Sequence, residues 1–342
     1  MKNPKVSVII PCFNEEKFIA KCLDSLLSQD FPKEEMEILI IDGGSEDKTK
    51  EIVDKYIEKY PFIKLFSNVN RYTPFAFNIG IKNSKGGIII FLGAHADYDR
   101  DYVSKCAENL EKYKADSVGG ILKVASKEDT LASRAIAISL SHSFGAGNAL
   151  YKTGSKEPRE VDTVFGGCYR KEVFKKIGFF NEKILRSEDM ELNMRLKRAG
   201  GKIMLIPDII VRYYPKSNLI NFWKHNFADG IWAIYPLRFV KIPFKLRHYL
   251  PFLFVGGLVG LLIMGFFFSP FLNLFLLTIL VYLSAGLYFS LGISLKEKDL
   301  RYFFILPLVF AIRHFGYGTG SIWGVIRLIT NDNPPVGGTN KS

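Results

Sequence analysis

The sequence lacks the short motifs that identify several common binding folds. It contains neither GxGxxG nor GxxxxGK(S/T), so a dinucleotide-binding fold and a P-loop fold lose support. It has only four cysteines, and no two of them form a CxxC pair. These cysteines are expected to be reduced thiols in a cytosolic setting, which excludes a zinc site and a disulfide framework.

A compact cluster of lysine and arginine with interleaved aromatic residues is also absent. The 46 basic residues outnumber the 34 acidic ones, which gives a formal net charge of +12. Such a charge implies an anionic partner, which could be nucleic acid, phospholipid or a phosphorylated substrate. Without a basic cluster nucleic acid is the weakest of the three, and we expect no nucleic-acid partner.

The N-terminal half follows the pattern of an open α/β sheet. Residues 6–10 form a β-branched run that ends at Pro11, and residues 37–41 form a second apolar run. Helical periodicity follows each run, over about 17–28 and up to about Tyr60. We expect an α/β fold with a mostly parallel central sheet, in which ligands bind beyond the carboxyl ends of the strands. The chain enters its first strand at once, without a signal peptide, so we expect this half to stay in the cytosol.

Two of these strands end in polar turns. The first turn carries Asn14 and Glu15, and the second carries Asp42 ahead of a Gly-Gly-Ser sequence. Glycine lets the backbone approach a ligand closely, and an aspartate can accept hydrogen bonds from a nucleobase or a ribose. Acidic residues in turns are often plain caps. Each turn alone is therefore a weak signal, and the two together are a stronger one.

A third segment offers further ligand-binding candidates. Arg71 and Asn78 precede an apolar strand over residues 88–92, and we group them with the nucleotide-binding residues. His95 and Asp97 follow that strand, two positions apart, so on a strand they would share a face. They could hold a divalent metal, although a polar loop with a capping aspartate fits equally well.

The stretch over residues 161–192 holds the main catalytic candidate. Glu188 and Asp189 open a segment of helical periodicity. A carboxylate at a helix start is stabilised by the free N–H groups and the helix dipole, so a cap is one interpretation. A general base held at the mouth of a cleft is the other. This stretch alone does not decide between them.

Four segments together resemble a known family. The segments VSVIIPCFNEE, IIDGGSEDKT, IIIFLGAHADY and FGGCYRKEVFKKIGFFNEKILRSEDMEL occur in the order and spacing of inverting family 2 glycosyltransferases with a GT-A fold. The likeness is closer to the membrane-attached branch that resembles succinoglycan and exopolysaccharide biosynthesis transferases. It covers roughly residues 5–235. The resemblance implies a Rossmann-like nucleotide-sugar-binding domain followed by C-terminal transmembrane helices.

The resemblance also implies roles for single residues. It implies a nucleotide pocket with its adjoining turn, formed by Pro11, Asn14, Glu15, Asp42, Ser45 and Asp47. It implies that Asp189 is the catalytic base, with Glu188 as its structural neighbour. Gly93 stands where the family usually has the first aspartate of its metal-binding motif. Either His95 and Asp97 hold a divalent cation, Mn²⁺ or Mg²⁺, with the diphosphate, or metal binding is altered.

Candidates for the acceptor side come from two places. Asp162 lies on the approach to Gly166 and Gly167, whose missing side chains would leave room for a sugar. The family's Gln-x-x-Arg-Trp motif is not present as such, and Lys224 and His225 stand near its place. These two residues could meet the acceptor or the leaving diphosphate, although an interfacial helix uses the same residue types.

Uncharged segments concentrate in the last hundred residues. Residues 249–268 and 271–291 are each long enough to cross a bilayer of about 30 Å. Basic residues flank the pair, which by the positive-inside rule places both flanks in the cytosol. A third apolar segment, 302–329, contains Arg313 and His314, so it either spans the membrane or folds back at the interface.

These patterns predict four regions. They are a cytosolic GT-A domain over 1–217, an amphipathic interfacial helix with a basic linker over 218–248, a membrane region over 249–329, and a tail over 330–342.

The leading interpretation is a multi-pass cell-membrane glycosyltransferase with a cytosolic catalytic domain. It would move a sugar, with inversion, from a nucleotide-sugar donor to a lipid-linked (polyprenyl) or growing glycan acceptor, next to membrane phospholipid. A polyprenyl-phosphate sugar synthase is the alternative among enzymes. Because Gly93 departs from the family pattern, a catalytically impaired binding or scaffold protein is a third interpretation.

Overall fold

A computed structural model describes residues 4–94, 97–147, 149–241 and 244–332. The chain divides into two units. Of the described residues, the first unit contains those up to Lys123 together with Gly154–Tyr213, and the second contains those of Val124–Thr153 together with those from Tyr214 to Asp332.

The described elements alternate strands and helices before they become purely helical. The strands are β1 (Val6–Cys12), β2 (Met36–Asp42), β3 (Ile63–Ser67), β4 (Ile88–Phe91), β5 (Asp97–Tyr98), β6 (Ser117–Val124), β7 (Arg159–Glu160), β8 (Phe165–Arg170) and β9 (Ile203–Tyr213). The α-helices are α1 (Ile19–Leu27), α2 (Thr49–Lys59), α3 (Thr73–Asn83), α4 (Tyr102–Lys112), α5 (Leu131–Ser141), α6 (Ser143–Ala146), α7 (Leu150–Thr153), α8 (Glu172–Ile177), α9 (Glu188–Arg198), α10 (Leu219–Ile234), α11 (Leu250–Gly265), α12 (Ser269–Glu297) and α13 (Arg301–Thr330).

The first unit is built on one mixed sheet. Its strand order is β3-β2-β1-β4-β8-β6-β9-β5, and β7 pairs with β9. The pairs among β3, β2, β1 and β4 are parallel. β8 is antiparallel to β4 and β6, and β9 is antiparallel to β5 and β7. The predicted α/β fold is confirmed, and the sheet turns from parallel to antiparallel beyond β4.

The parallel strands form the core of this unit. Every residue of β2 is buried, and so is every residue of β1 except Pro11. Continuous apolar runs of this kind are typical of parallel strands whose two faces are covered by helices. α1 supplies such a cover, because its Ile19, Leu23 and Leu26 recur at helical spacing and are buried.

The strand register brings several chain segments to one edge of the sheet. Cys12 pairs with Asp42, and Asp42 pairs with Ser67, so β1, β2 and β3 end side by side. β8 runs antiparallel to β4, which also ends at this edge. The start of β8, with Gly166 and Gly167, therefore lies at the edge where the polar turns leave β1 and β2.

The second unit is helical and has its own apolar core. The core side chains are Ala135, Ile136, Leu140, Phe222, Ile293, Tyr302, Leu306, Val309 and Phe310. Residues 124–153 belong to this unit, whereas the sequence places them in the domain over 1–217. The difference arises because the apolar face of α5 packs against α13.

Glycines set the close approach of α10 and α13 in this unit. A Cβ at Gly320 would lie 2.0 Å from Phe227 O, and a Cβ at Gly230 would lie 1.9 Å from Tyr317 O. Small residues at a helix interface allow the two backbones to approach this closely. The predicted segment 302–329 is thus part of one continuous helix, and its glycines serve helix packing.

α10 lies in the region predicted as an interfacial helix. Its Phe222, Ile231 and Trp232 are buried, with exposed fractions of 1% to 2%. Ile220 and Trp223 are exposed. Much of the apolar side of this helix is therefore covered by protein, and the interfacial location predicted for residues 218–248 stays a prediction.

One helix in the described residues is long and apolar enough to cross a membrane, judged by length and composition. It is α12, which has 29 residues. Only 11% of its most apolar 18-residue stretch is buried. α11 has 16 residues and ends at Gly265, which is short of the ~20 residues that a span requires. The structure therefore supports one candidate span where the sequence predicts two and leaves a third open.

Candidate active site

Asp42, at the end of β2, is the centre of the second polar turn. It is 2% exposed. Its carboxylate accepts hydrogen bonds from Gly44 N at 3.0 Å and from Ser45 N at 3.1 Å, and Lys50 Nζ lies 3.3 Å away. The Ser45 hydroxyl donates to it as well. Asp42 thus stabilises its own turn through these hydrogen bonds. The sequence did not reveal its ion pair with Lys50.

The turn after β1 interlocks with the turn after β2. Asn14 N donates to Ser45 Oγ at 2.9 Å, and Glu46 N donates to Asn14 Oδ1 at 2.9 Å. Glu15 is buried, and its N–H donates to Thr49 Oγ1 at 2.8 Å. The structure therefore brings the two predicted nucleotide-binding turns together as one rigid surface.

Asp47 completes this surface. Its carboxylate accepts hydrogen bonds from Glu16 N at 3.1 Å and from Thr49 N at 3.0 Å. Burial disfavours the charged form, but the hydrogen bonds from the Thr49 hydroxyl and from the backbone N–H groups outweigh it, so the pKa of Asp47 is lowered. Asp47 is ionised at neutral pH and acts as a brace between the turns.

Arg71 and Pro11 border the same turns. The Arg71 guanidinium lies 5.2 Å from the centre of the Phe13 ring, and its Nη2 is 3.6 Å from Glu46 Oε1. Its side chain is half exposed. Pro11 is half-buried within β1. Arg71 is thus a cation beside the turns that could reach an anionic ligand.

Asn78 has a different place from the one predicted. It is 4% exposed, and its Nδ2 donates to Phe180 O at 3.0 Å and to Glu182 Oε1 at 2.9 Å. Its Oδ1 accepts from Phe180 N at 2.9 Å. The side-chain amide of Asn78 is thus hydrogen-bonded to the loop that precedes α9. Asn78 holds that loop in place and does not face a nucleotide-sugar donor as predicted.

The predicted metal site falls partly outside the described residues. His95 is not among them, and only the backbone of Asp97, in β5, is described. A Cβ at Gly93 would meet only the Tyr98 hydroxyl, at 4.0 Å, so there is space for a larger side chain. Among the described residues no group of three or more His, Cys, Asp or Glu side chains converges. The described residues alone therefore do not make up a cation site.

Glu188 and Asp189 form the first turn of α9, as predicted. Both are half-buried, and the preceding Ser187 has a left-handed backbone with φ of 60°. Burial, and next the charge of Asp189, raise the pKa of Glu188 to about 8. Burial and the neighbouring charge therefore favour the protonated form of Glu188. Such a pair can divide into a structural acid and a basic carboxylate.

α9 is fixed at its sides by buried polar contacts. Arg195 Nε donates to Glu191 Oε1 at 2.7 Å, and the Glu191 side chain is 3% exposed. Arg195 also donates to Ile177 O at 2.6 Å and to Phe179 O at 2.8 Å. The guanidinium thus joins α9 to the end of α8 and to the loop that leads back to Asp189.

Three further polar residues that the sequence did not single out connect the buried face of α9 to β8 and to the segment ahead of β8. They are Thr163, Tyr169 and Asn193, all buried and hydrogen-bonded in one line. The available signal was an asparagine on the buried face of a helix, four residues after Asp189. A polar residue there requires buried partners.

The glycines at the start of β8 have packing roles. Gly166 has φ of 59°, and its carbonyl accepts from Tyr102 Oη at 2.8 Å. A Cβ at Gly167 would lie 2.4 Å from the Tyr169 ring. Gly167 therefore makes room for Tyr169, which differs from the predicted space for a sugar. Asp162 is half-buried in the segment ahead of β8.

Lys224 and His225 lie on α10 in the second unit. Lys224 is exposed. His225 Nε2 is 3.4 Å from Asp229 Oδ2, one helical turn further on. Their predicted part on the acceptor side stays a prediction.

Comparisons with known proteins agree with this architecture. The solved mannosyltransferase PcManGT of Pyrobaculum calidifontis, in complex with GDP-Man and Mn²⁺, superposes with a TM-score of 0.61 at 18% identity, over 94% of this chain and 88% of that chain. The S. aureus TarS fragment in complex with UDP-GlcNAc superposes with a TM-score of 0.53 at 17% identity, over 96% and 92%. The first unit thus defines a GT-A-like α/β fold.

Sequence comparison gives the family. The sequence profile of glycosyl transferase family 2 matches residues 7–178. A Methanococcus voltae protein named dolichyl N-acetyl-alpha-D-glucosaminyl phosphate 3-beta-D-2,3-diacetamido-2,3-dideoxy-beta-D-glucuronosyltransferase is 31% identical over 330 residues, which is 94% of this chain and 97% of that protein. Succinoglycan biosynthesis protein ExoA of Rhizobium meliloti is 27% identical over 254 residues, 69% of this chain and 76% of that protein. The chain belongs to glycosyl transferase family 2 and is a glycosyltransferase.

Proposed function

We propose that this glycosyltransferase moves a sugar from a nucleotide donor to a lipid-linked or growing glycan acceptor, with inversion at the anomeric carbon. The observation that carries the proposal is the first turn of α9. There Asp189 stands beside Glu188, whose pKa is raised by burial, on a helix anchored by buried contacts. A rigid carboxylate of this kind suits a general base.

In the proposed reaction the acceptor hydroxyl attacks the anomeric carbon as the Asp189 carboxylate takes its proton. The new bond joins the acceptor oxygen to the sugar, and the bond to the nucleoside diphosphate breaks on the opposite face, which inverts the anomeric centre. The free N–H groups and the dipole at a helix start stabilise a carboxylate in this position. The protonated form of Glu188, which burial favours, adds no second negative charge beside the base.

The donor would bind at the interlocked turns after β1 and β2. Asn14, Glu15, Asp42, Ser45 and Asp47 shape this surface through the hydrogen bonds described above. Arg71 adds a positive charge beside it. Complexes of nucleotide sugars with two structural neighbours support a nucleotide-sugar donor here.

A divalent cation, Mn²⁺ or Mg²⁺, is a proposed cofactor that would neutralise the departing diphosphate when bound. The Mn²⁺ in the complex of the mannosyltransferase neighbour supports it. Isothermal titration of Mn²⁺ into the full chain, with GDP present, tests this. Saturable binding that is lost in the His95→Ala variant is the expected result, and unchanged binding in that variant would overturn His95 as a ligand.

The acceptor is proposed to be a sugar carried on a lipid. The Methanococcus voltae relative, whose name gives a dolichyl-phosphate-linked sugar as its acceptor, supports this over transfer to free polyprenyl phosphate. The full chain in detergent, assayed with a panel of nucleotide sugars against a polyprenyl-phosphate-linked sugar, is expected to extend that sugar. Product only on free polyprenyl phosphate would show the synthase alternative, and no product on either acceptor would contradict the proposal.

We also propose that the second unit anchors the chain in the cell membrane, with residues 249–268 (α11 and the turns that continue it) and α12 as a hairpin and the first unit in the cytosol. The exposed apolar surface of α12 and the basic residues on both sides of the hairpin support this. The unit would then bring Lys224 and His225 near phospholipid and a lipid-carried acceptor. Retention of the chain in the membrane pellet after carbonate washing is expected, and release into the supernatant would contradict the anchor.

A further inference from the structure

A buried line of hydrogen bonds connects β8, α9 and the segment ahead of β8. The Tyr169 hydroxyl donates to Asn193 Oδ1 at 2.8 Å, and Asn193 Nδ2 donates to Thr163 Oγ1 at 2.9 Å. The three residues are 2%, 0% and 6% exposed, for Tyr169, Asn193 and Thr163 respectively. Fully satisfied networks in a low-dielectric interior hold their members in one arrangement. This line therefore fixes α9 relative to the sheet.

This line of hydrogen bonds reaches α9 at Asn193, one helical turn after the proposed base Asp189. Asn193 follows Asp189 by four residues, so the two side chains share a face of α9. The electrostatics agree, because the pKa of Tyr169 is raised first by burial and next by the Asp189 carboxylate. The hydrogen bond from Tyr169, in the sheet, to Asn193, on α9, thus connects the sheet to the helix turn that begins at Asp189.

The same line also reaches the segment proposed for the acceptor. A Cβ at Gly167 would lie 2.7 Å from the Tyr169 hydroxyl, so that hydroxyl lies against the start of β8. Thr163, at the other end of the line, directly follows Asp162. One network therefore holds both the helix that carries the base and the strand entry that carries Asp162.

We propose that Tyr169 and Asn193 are positioning residues that keep Asp189 at a fixed separation from the segment Asp162–Gly167 during transfer. The inference rests on the proposed role of Asp189 as base. A general base must lie within hydrogen-bond reach of the proton it takes, and a displacement of about 1 Å can lower a rate about 100-fold. The donor turns after β1 and β2 share none of these hydrogen bonds, so the network acts on the transfer step and leaves donor binding unchanged.

The test is Tyr169→Phe, which removes one hydroxyl and keeps the ring that packs against Gly167. We expect kcat to fall by about tenfold or more, with KM for the donor within twofold of the parent value. The assay follows nucleotide release from the donor that turns over in a panel including UDP-GlcNAc and GDP-Man.

A matched control separates positioning from stability. Ser7 is fully buried in the same sheet, and its hydroxyl donates to Glu37 Oε1 at 2.7 Å. Ser7→Ala removes this bond together with the one that Gly86 N donates to the same hydroxyl at 2.9 Å, so we expect a loss of thermal stability at least as large as that of Tyr169→Phe, with kcat unchanged. Equal losses of kcat in the Tyr169→Phe and Ser7→Ala variants would overturn the proposal, as would an unchanged kcat in Tyr169→Phe.

The Asp189→Asn variant distinguishes failure of the inference from failure of the proposed function. If Asp189→Asn is inactive while Tyr169→Phe keeps the parent kcat, the base stands and the positioning role is wrong. If Asp189→Asn is fully active, both are wrong.

Discussion

At the scale of single residues, the acidic groups of the first unit divide into two kinds. Asp42 and Asp47 are occupied by hydrogen bonds within the interlocked turns, which hold the backbone in place for a ligand. Glu188 and Asp189 stand at a helix start, where the backbone N–H groups supply the stabilisation. The same residue type thus serves as a turn brace at one site and as a candidate base at another.

Glu188 gives the first prediction at this scale. Because its folded pKa is about 8 and its ordinary value is 4.5, the folded chain keeps a proton that the unfolded chain releases between these values. The free energy of unfolding therefore falls as the pH rises from about 4.5 to about 8, and is level in this respect above that range. In the Glu188→Gln variant this loss should disappear, so the stability of the variant relative to the parent should increase from pH 5 to pH 8.

Chemical denaturation of both proteins in detergent at pH 5, 6, 7 and 8 measures this difference. A gap between variant and parent that widens with pH is the expected result. A gap that is constant across the range would show that Glu188 titrates at its ordinary value.

Gly167 gives the second prediction. An alanine there would place its Cβ 2.4 Å from the Tyr169 ring, so the ring or the strand must move. We expect Gly167→Ala to lower the free energy of unfolding by about 1–3 kcal/mol, as overpacked substitutions do. Gly87 is a matched control, because a Cβ at Gly87 would meet no atom within 4 Å. Equal stability of the two variants in thermal unfolding would contradict the packing role.

At the scale of elements, α9 is the helix on which the account depends. Its buried Glu191 and the Arg195 guanidinium join it to α8 and to the loop ahead of Asp189. Asn78, on α3, holds the same loop from its other side. The loop is thus restrained at several points before the chain reaches the base.

Removal of Arg195 should therefore cost far more than removal of its neighbour Lys197. Arg195→Ala leaves the Glu191 carboxylate buried without its cation, and we expect a loss of about 3–5 kcal/mol in the free energy of unfolding. Lys197 pairs with Glu160, whose side chain is 52% exposed, so Lys197→Ala should cost about 0–1 kcal/mol. Denaturation midpoints of the two variants provide the measurement, and similar midpoints would show that α9 does not depend on this clamp.

The elements also show which features the sequence could predict. β1 and β2 follow from continuous apolar runs, and the α9 start follows from the change of periodicity at Glu188. The role of Asn78 could not be predicted, because its partners Phe180 and Glu182 are about a hundred positions away. Periodicity reports which face of an element is buried, but it does not report which element covers that face.

At the scale of the whole molecule, the division into two units departs from the linear order of the sequence. Residues 124–153 belong to the second unit, because the apolar side chains of α5 pack in one core with side chains of α10, α12 and α13. The apolar runs of the last hundred residues were visible in the sequence. In the structure these runs form a 16-residue α11, an exposed α12 and an α13 that packs on α10. That division depends on contacts between helices, which composition does not encode.

The central claim for the whole molecule is that Asp189 is the base of a sugar-transfer reaction. Asp189→Asn keeps the shape of the side chain and the helix start but removes the proton acceptor. Loss of general-base catalysis typically lowers a rate by about 10²–10⁴-fold. Asp54→Asn, on the exposed face of α2, is the matched control and should keep the parent rate.

The most direct measurement is the transfer rate of Asp189→Asn at saturating donor, together with the donor dissociation constant from isothermal titration. We expect a rate at least about 100-fold below the parent with the dissociation constant within twofold, because the donor turns do not include Asp189. A parent-like transfer rate in this variant would contradict the account.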